Sequence, residues 1–173
     1  SLLTTKSGFL GEALGRAGVS ATKSQAVLRD LAGEIEWSKV IGIAPDEYIR
    51  AVDDYGRATR IAQSKVEPRD IARVYDAYES LKKQERAIDF EDVLLLTVGM
   101  LEEDREVRDR VRDQYRYFTV DEYQDVSPLQ QRLLDLWVGK RTDICVVGDP
   151  AQTIYSFAGA SPAFLLNFTN RYP

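Results

Sequence analysis

The feature that most constrains the fold is a pair of short, β-rich apolar runs separated by one helical segment. The runs are YFTV at residues 117–120 and ICVV at residues 144–147, and SPLQQRLLDLWVG lies between them. In the middle segment Ser127 is a suitable N-cap, Pro128 suits the first helical turn, and Gly139 ends the helix. A strand, a helix and a strand with tight connections predict a βαβ unit, in which the two strands run parallel.

The chain before this unit has the periodicity of helices. Helices are predicted over residues 20–41, 44–56 and 67–83. The clearest is the last, EPRDIARVYDAYESLKK, because its apolar side chains recur at helical spacing and form one stripe. The predicted stripe consists of Ile71, Val74, Tyr75, Tyr78 and Leu81.

Two further helices are predicted before the first strand. The first covers residues 89–104, DFEDVLLLTVGMLEED, and is mostly apolar, so we expect it to be buried on several sides. The second covers residues 105–116, REVRDRVRDQYR, and its charge indicates a surface helix. We therefore predict an α/β, mostly helical fold with a small parallel sheet. The expected domains are a helical one at residues 1–88 and an α/β one at residues 89–173.

Composition excludes several classes of chemistry. The 173 residues include no histidine, which rules out histidine-based triads, metal ligands and proton shuttles. The single cysteine, Cys145, lies in an apolar run, so we expect a small buried hydrophobe in a reducing compartment, the cytoplasm. No apolar run approaches the ~20 residues of a membrane-spanning helix, so no membrane association is expected.

Charge is unevenly distributed along the chain. Residues 1–88 carry 14 basic and 13 acidic side chains, whereas residues 89–173 carry 9 basic and 15 acidic side chains. The first part is therefore almost neutral and the second part is acidic. No global attraction to a polyanion is expected, so binding of nucleic acid would have to use local basic or aromatic features.

Acidic and amide residues follow both predicted strands. Asp121 and Glu122 come directly after the first strand, and Gly148, Asp149 and Gln152 follow the second. The carboxyl ends of parallel strands lie at one edge of a sheet, where ligands bind in open α/β folds. Carboxylates gathered there would repel one another without a cation, and Mg²⁺ prefers oxygen ligands. One acid would then hold the ion while the other polarises an attacking water, unless these are ordinary loop residues.

Four stretches resemble motifs of the UvrD/Rep/PcrA-type superfamily 1 DNA helicases. The stretch VDEYQDVSPLQ at residues 120–130 closely resembles motif II, the Walker B box. The stretch VVGDPAQTIYSFAGA at residues 146–160 resembles motif III. The stretch DFEDVLLL at residues 89–96 resembles the segment that precedes motif II in the family. The helix after motif III is resembled by SPAFLLNFTNRYP at residues 161–173.

These matches occur in the order of the family, and they imply a fold. Residues 89–173 would be the C-terminal part of the first motor domain, a RecA-like P-loop NTPase domain. Residues 1–88 resemble the family in character alone, as the helical subdomain inserted into that domain.

The resemblance also implies a role for each residue of the acidic edge. Asp121 would bind Mg²⁺, and Glu122 would be the general base of ATP hydrolysis. Asp149 would belong to the nucleotide-binding residues, and Gln152 would sense the γ-phosphate and report it to the DNA site. The implied cofactors are therefore ATP and Mg²⁺.

Tyr155 and Phe157 would, by the same resemblance, contact bases of single-stranded DNA. An aromatic face stacks on any base and contributes roughly 1–3 kcal/mol without reading sequence, as a translocating motor requires. The alternative is that both rings are core residues at alternating positions. Many relatives have Trp at the Phe157 position and Arg at the Ala158 position, so one cationic contact of the family is lacking here. Gln124 and Asp125 also match the family's motif, but the sequence assigns them no role.

The chain has no Walker A loop, G-x-x-x-x-G-K-[ST], which would hold phosphates with backbone amides and a lysine. Its one Gly-Lys pair, Gly139-Lys140, is followed by Arg141 and lacks the upstream glycine. We expect an excerpt of a larger helicase that couples ATP hydrolysis to translocation on single-stranded DNA and to duplex unwinding, in DNA repair or replication. Alone it would not hydrolyse ATP. Its partners would be single-stranded DNA, duplex junctions and the rest of the helicase chain, with the Walker A segment and the second motor domain.

Other interpretations of the motifs stay open. A helicase–nuclease subunit of the same superfamily would carry the same motifs. A non-motor binding module would have kept them without a Walker A loop. A helical scaffold with an Asp-rich edge would bind only a metal.

A sheet of two strands also raises the question of what covers it. Such a sheet is marginal without helices on it, and its edges expose unpaired backbone groups. We expect the helices at residues 90–101 and 128–138 to cover both faces, or a second copy of the chain to dock on the open edge. Self-association is the corresponding prediction.

Overall fold

The computed structural model describes residues 1–20, 24–62 and 66–173. Within them the chain forms two compact units, Ser1–Glu91 and Asp92–Pro173. Residues 21–23, near the start of the helix predicted at 20–41, lie outside the described residues. Among the described helices, none combines the length and the apolar character that crossing a membrane would require.

The first unit is built from helices. Its second helix is capped by Ser24, whose hydroxyl accepts the Val27 N–H at 3.3 Å, and Gly42 ends it in a left-handed conformation with φ 87°. The helix predicted over residues 67–83 is confirmed, and the one over residues 44–56 is divided into a turn and a short helix. The elements are α1 (Ser7–Arg16), α2 (Gln25–Ile41), a 3₁₀ turn (Pro45–Glu47), α3 (Tyr48–Asp54), α4 (Ala58–Ile61) and α5 (Pro68–Gln84).

The apolar stripe predicted on α5 is confirmed and lies in the core of the first unit. Its five side chains are at most 4% exposed. Helix α5 packs against α1, α2 and α3. Burying one large apolar side chain stabilises a fold by roughly 1.5–3 kcal/mol, so this stripe is a main source of the unit's stability.

A buried carboxylate fixes the end of the first unit to its helices. Asp89 is fully buried and accepts hydrogen bonds from Lys39 at 2.7 Å and from Lys82 at 2.9 Å. The hydroxyl of Tyr78 donates to the same carboxylate at 3.0 Å. Burial, reinforced by the charge of Asp89, raises the pKa of Tyr78, so its hydroxyl remains a donor. The residues before α6 are thereby held to α2 and α5.

The second unit contains most of α6 and all later elements. Helix α7 has no buried residue, which confirms the predicted surface helix. The elements are α6 (Phe90–Glu103), α7 (Arg105–Gln114), β1 (Phe118–Val120), α8 (Pro128–Val138), β2 (Ile144–Val146), α9 (Ala163–Leu166) and α10 (Phe168–Arg171), with 3₁₀ turns at Tyr123–Asp125, Pro150–Gln152 and Ser156–Ala158.

Strands β1 and β2 pair in parallel, with Thr119 opposite Cys145, and α8 connects them. The predicted mostly helical fold with a small parallel sheet is confirmed. The local signals of α8 also hold. Ser127 accepts the N–H of Gln130 at 3.3 Å, Gln130 accepts the N–H of Ser127 at 2.9 Å, and Gly139 ends the helix at φ 64°.

The sheet is covered on one face in the part of the chain that the structure describes. The inward side chains of both strands pack against Leu134 and Val138 of α8. Thr119 and Cys145 alternate to the opposite face and are exposed. The expectation of a buried Cys145 is therefore wrong, because no helix among the described residues covers that face of the strand. The expectation that helices cover both faces of the sheet is wrong for the same reason.

Helix α6 forms where it was predicted, but it is not buried on several sides. Val98 and Leu101 are buried, whereas Phe90, Leu96 and Met100 are 48–60% exposed. An apolar sequence indicates what a helix is able to bury. The described segments do not cover the side of α6 that carries Phe90, Leu96 and Met100, so these apolar side chains stay at the surface.

Candidate functional site

The pairing of β1 and β2 continues beyond the strands and brings two loops together. The N–H of Val147 donates to the carbonyl of Val120 at 2.8 Å, and the N–H of Tyr123 donates to the carbonyl of Val147 at 2.9 Å. The loop that carries Asp121 and Glu122 is therefore fixed beside the loop that follows β2. This is the sheet edge at which open α/β folds bind ligands.

Glu122 has a left-handed backbone conformation, with φ 52° and ψ 39°. This conformation costs a residue with a side chain roughly 1–2 kcal/mol. The Asp121 carboxylate stabilises the turn by accepting the N–H of Glu122 at 2.9 Å. Both side chains are exposed, so the turn presents two adjacent carboxylates at the end of β1.

The side-chain amide of Gln124 connects the two loops. Gln124 is 1% exposed. Its Nε2 donates to Oε2 of Glu122 at 2.6 Å, and its Oε1 accepts the backbone N–H of Asp149 at 3.0 Å. Only one orientation of the amide satisfies both partners, because an ionised carboxylate only accepts and a backbone N–H only donates.

Gly148 makes room for this bridge because it lacks a side chain. A Cβ at this position would lie 2.4 Å from Oε1 of Gln124 and 3.1 Å from the backbone nitrogen of Tyr123. Non-bonded atoms do not pack that closely, so any other residue would displace the amide or the backbone.

Asp149 heads the turn after β2 and uses both carboxylate oxygens within it. Oδ1 accepts the N–H of Ala151 at 2.9 Å, and Oδ2 accepts the side-chain amide of Gln152 at 2.9 Å. The bond from Gln152, followed by that from Ala151, lowers the pKa of the Asp149 carboxyl. Asp149 therefore stays ionised and holds Gln152 beside it.

An aromatic loop follows this turn and is attached to the turn after β1 by Asp125. One oxygen of Asp125 accepts the N–H groups of Ile154 at 3.2 Å and of Tyr155 at 3.3 Å. The rings of Tyr155 and Phe157 lie 6.1 Å apart and are 51% and 46% exposed. The alternative that these two rings are core residues is therefore wrong.

A polar network lies on the covered side of the sheet. Tyr123 donates to Gln131 at 2.5 Å, and the amide of Gln131 donates to Asp135 at 2.9 Å. Asp135 also accepts bonds from Arg171 and Tyr172. Burial alone would raise the pKa of Asp135, but these hydrogen bonds, led by that of Arg171, hold it below its ordinary value. The network joins α8 to α10.

The predicted site residues divide into two connected groups. The bridge of Gln124 connects Glu122, next to Asp121, to Asp149 and hence to Gln152. The aromatic pair lies further along the same loop and is connected through Asp125. The sequence motif includes Gln124 and Asp125 but assigns them no role. The available signal was a pair of polar residues in a short turn between a strand and a capped helix.

One family of helicases matches the part of the chain that carries this parallel βαβ unit, acidic turn and exposed aromatic loop. The model of the UvrD/REP helicase N-terminal domain matches residues 21–173. The chain belongs to this UvrD/Rep/PcrA-type helicase family.

The chain can also be compared with individual relatives and with their length. It is 46% identical to the ATP-dependent DNA helicase UvrD2 of Mycobacterium tuberculosis (strain ATCC 25618 / H37Rv), over 99% of the chain and 24% of that protein. It is 32% identical to the ATP-dependent DNA helicase PcrA of Leuconostoc citreum, over 84% of the chain and 18% of that protein. It is 37% identical to the ATP-dependent DNA helicase Rep of Escherichia coli (strain K12), over 70% of the chain and 18% of that protein. The chain thus spans about a quarter or less of these relatives.

Proposed function

We propose that this chain is part of an ATP-dependent DNA helicase, in which it supplies one side of the nucleotide site and an aromatic contact to single-stranded DNA. The observation that carries the proposal is the bridge between the acidic turn after β1 and the Asp149 turn after β2, in a chain of this family. The names of the relatives, which are ATP-dependent DNA helicases, support the choice of nucleotide and of substrate.

Asp121 has the ligand chemistry that Mg²⁺ needs. One of its oxygens accepts the N–H of Glu122, and the other has no hydrogen-bond donor among the residues that the structure describes. The side chain is exposed at the strand end. Mg²⁺ is held by one or two carboxylates together with substrate phosphates and several waters, so the available oxygen of Asp121 would be its ligand from this chain. When bound, the ion would neutralise charge on the nucleotide phosphates.

Glu122 is the proposed general base. Gln124 holds its Oε2, and Oε1 would orient the attacking water and accept its proton. Gln152 would sense the γ-phosphate, because the amide that now donates to Asp149 at 2.9 Å is able to exchange that partner for a phosphate oxygen. Asp149 would keep Gln152 in place until that exchange.

The exposed rings of Tyr155 and Phe157 would stack on bases of single-stranded DNA. Stacking reads no sequence, and this suits movement along a strand. In the complete protein, hydrolysis would drive translocation and the unwinding of duplex junctions, in DNA repair or replication in the cytoplasm.

We also propose which part of a helicase each of the two units forms. The second unit would belong to the RecA-like first motor domain, and the helical first unit would be the subdomain inserted into it. The Walker A segment and the second motor domain would complete the nucleotide site, so this chain alone is expected to be inactive. Its self-association stays a prediction, which sedimentation equilibrium across a concentration series would test.

Substitution of Glu122 in the complete protein tests the proposed function. Glu122→Gln should bind ATP normally and lower kcat by about 100-fold or more, the usual scale for a lost general base. Asp121→Ala should in addition change the dependence on Mg²⁺. The matched control is Glu103→Gln, an exposed glutamate of α6, which should leave turnover unchanged. Near-normal ATPase turnover of Glu122→Gln with single-stranded DNA present would refute the assignment.

A further inference from the structure

We infer that Gln124 is a positioning residue for ATP hydrolysis, which orients Glu122 and connects it to the turn headed by Asp149. The inference rests on the proposed function of Glu122. It gives a role to a residue that neither the motif resemblance nor the names of the relatives assign.

The buried position of Gln124 makes its two hydrogen bonds important. The side chain is 1% exposed, whereas Glu122 and Asp149, which it joins, are exposed. A buried amide is costly unless its polar atoms are bonded, and here both ends have partners. Because the amide group is planar and rigid, a displacement of one bonded partner is passed to the other.

The bond to Glu122 restrains a side chain that would otherwise move freely. The N–H···O⁻ distance of 2.6 Å is short, as expected when the acceptor is charged. With Oε2 held, the carboxylate keeps one orientation above the left-handed turn. A general base needs this fixed geometry before its basicity matters, because a misplaced base accepts the proton slowly.

The bond to Asp149 connects the base to the second loop. Oε1 accepts the N–H at the start of the turn in which Asp149 holds Gln152. A movement of that turn therefore reaches Glu122 through two hydrogen bonds and one rigid amide. The same loop continues to the aromatic pair, whose start is held separately by Asp125.

Two variants of Gln124 in the complete protein separate its bonds. Gln124→Glu keeps an acceptor for the Asp149 N–H but places a carboxylate where Glu122 had a donor, and Gln124→Leu removes both bonds. We expect kcat of DNA-stimulated ATP hydrolysis to fall about 10- to 100-fold in both variants, with KM for ATP changed less than about threefold. Gly148→Ala should lower kcat similarly, because its Cβ would displace the unaltered Gln124 amide.

A double-substitution series distinguishes positioning from a general structural role. In a Glu122→Gln background, Gln124→Leu should lower the residual rate by less than about twofold, since the group that it positions is already lost. A residue that only stabilises the fold would lower the rate equally in both backgrounds.

Gln131 provides a matched control. It is equally buried, and its amide donates to a carboxylate, that of Asp135, at 2.9 Å. Gln131→Glu should therefore lower the melting temperature as Gln124→Glu does, but leave kcat within about twofold. A normal kcat in Gln124→Leu, or a loss that adds fully to that of Glu122→Gln, would overturn the inference. A normal kcat in Glu122→Gln alone would overturn the proposed function instead.

Discussion

The carboxylate of Asp125 accepts a hydrogen bond of 3.3 Å from the backbone N–H of Tyr155, 30 residues further along the chain. The same oxygen accepts the N–H of Ile154 at 3.2 Å. One side chain in the turn after β1 thus fixes the start of the loop that presents the exposed rings. Its neighbour Gln124 contacts the proposed general base, so consecutive residues of one turn serve both proposed sites.

Replacing Asp125 by Ala in the complete protein should weaken binding of single-stranded DNA about tenfold, because the aromatic loop loses the two bonds that pre-order it. Asp125→Asn retains an acceptor oxygen and should stay within about threefold of the unsubstituted protein. Fluorescence anisotropy with a labelled oligonucleotide measures both affinities. Equal affinities of all three proteins would show that the loop keeps its shape without Asp125.

Removal of one exposed ring tests the DNA contact itself. Phe157→Ala should weaken single-stranded DNA binding by roughly 1–3 kcal/mol, with little dependence on base identity. DNA-stimulated ATPase activity should fall while the basal rate is spared. Tyr117→Ala is the control, since Tyr117 is 83% exposed but precedes β1, at the opposite end of the strand from the acidic turn. An unchanged affinity of Phe157→Ala would remove this residue from the proposed contact.

The left-handed conformation of Glu122 predicts an inverted order of stability for two small substitutions. Glu122→Gly and Glu122→Ala both remove the carboxylate, but the glycine variant should be more stable by about 1 kcal/mol because Cβ is disfavoured at φ 52°. At Asp121, whose φ is not positive, alanine should be the more stable of the two. Denaturant unfolding of this chain, followed by Trp137 fluorescence in a Trp37→Phe background, measures the stability of all four variants. The same order of stability of the glycine and alanine variants at Asp121 and at Glu122 would contradict the strained conformation of Glu122.

The buried charge of Asp89 should be essential for the stability of the first unit. Asp89→Asn should lower its free energy of unfolding by about 3 kcal/mol, because the buried Lys39 and Lys82 would then share the single carboxylate of Glu79. Asp54→Asn removes an exposed ion pair with Arg50 and should change stability by less than about 0.5 kcal/mol. Trp37 fluorescence in a Trp137→Phe background follows this unit alone. Similar losses in the two variants would contradict the importance of burial.

The Asp135 network predicts a loss of stability in acid. Because the folded-state pKa of Asp135 lies below its ordinary value of 3.8, its stabilising contribution is present above that value and is lost as pH falls through the lowered pKa. Asp135→Asn and Arg171→Met should both lower stability at pH 7 and flatten this acid dependence. Denaturant titrations between pH 2 and pH 7 measure it, and an unchanged slope in Asp135→Asn would assign the acid dependence to other groups.

Local sequence signals were sufficient to predict an element where its capping residues, turn residues and hydrophobic periodicity agreed. Helix α5 has its stripe as predicted, and α8 is capped by Ser127 and Gly139 as these residue types indicated. The parallel pairing followed from the short connections of the βαβ unit. These elements were predictable because each local preference pointed to the same structure.

Burial could not be predicted where it depends on distant segments. ICVV is continuously apolar, as expected for a strand covered on both faces, yet Cys145 is exposed. Helix α6 likewise has more apolar surface than the described segments cover. An apolar run reports what a segment is able to bury, whereas its exposure depends on which other segments pack against it.

In the candidate site, the sequence indicated which residues carry chemistry but not how they are connected. The acidic pair and the aromatic pair were recognisable from residue type and motif. The Gln124 bridge depends on the missing side chain of Gly148, 24 residues away, and on one amide orientation. Such a contact leaves no periodic signal, so only the structure could reveal it.

The open face of the sheet also provides a labelling position. Cys145 is the only cysteine of the chain and is exposed on β2, so a thiol-reactive dye would attach at a single known atom. The dye would stand four residues before Asp149, on the strand that leads into the turn holding Gln152. The uncovered strand therefore offers an optical reporter close to the proposed nucleotide site, with no engineered cysteine needed in this chain.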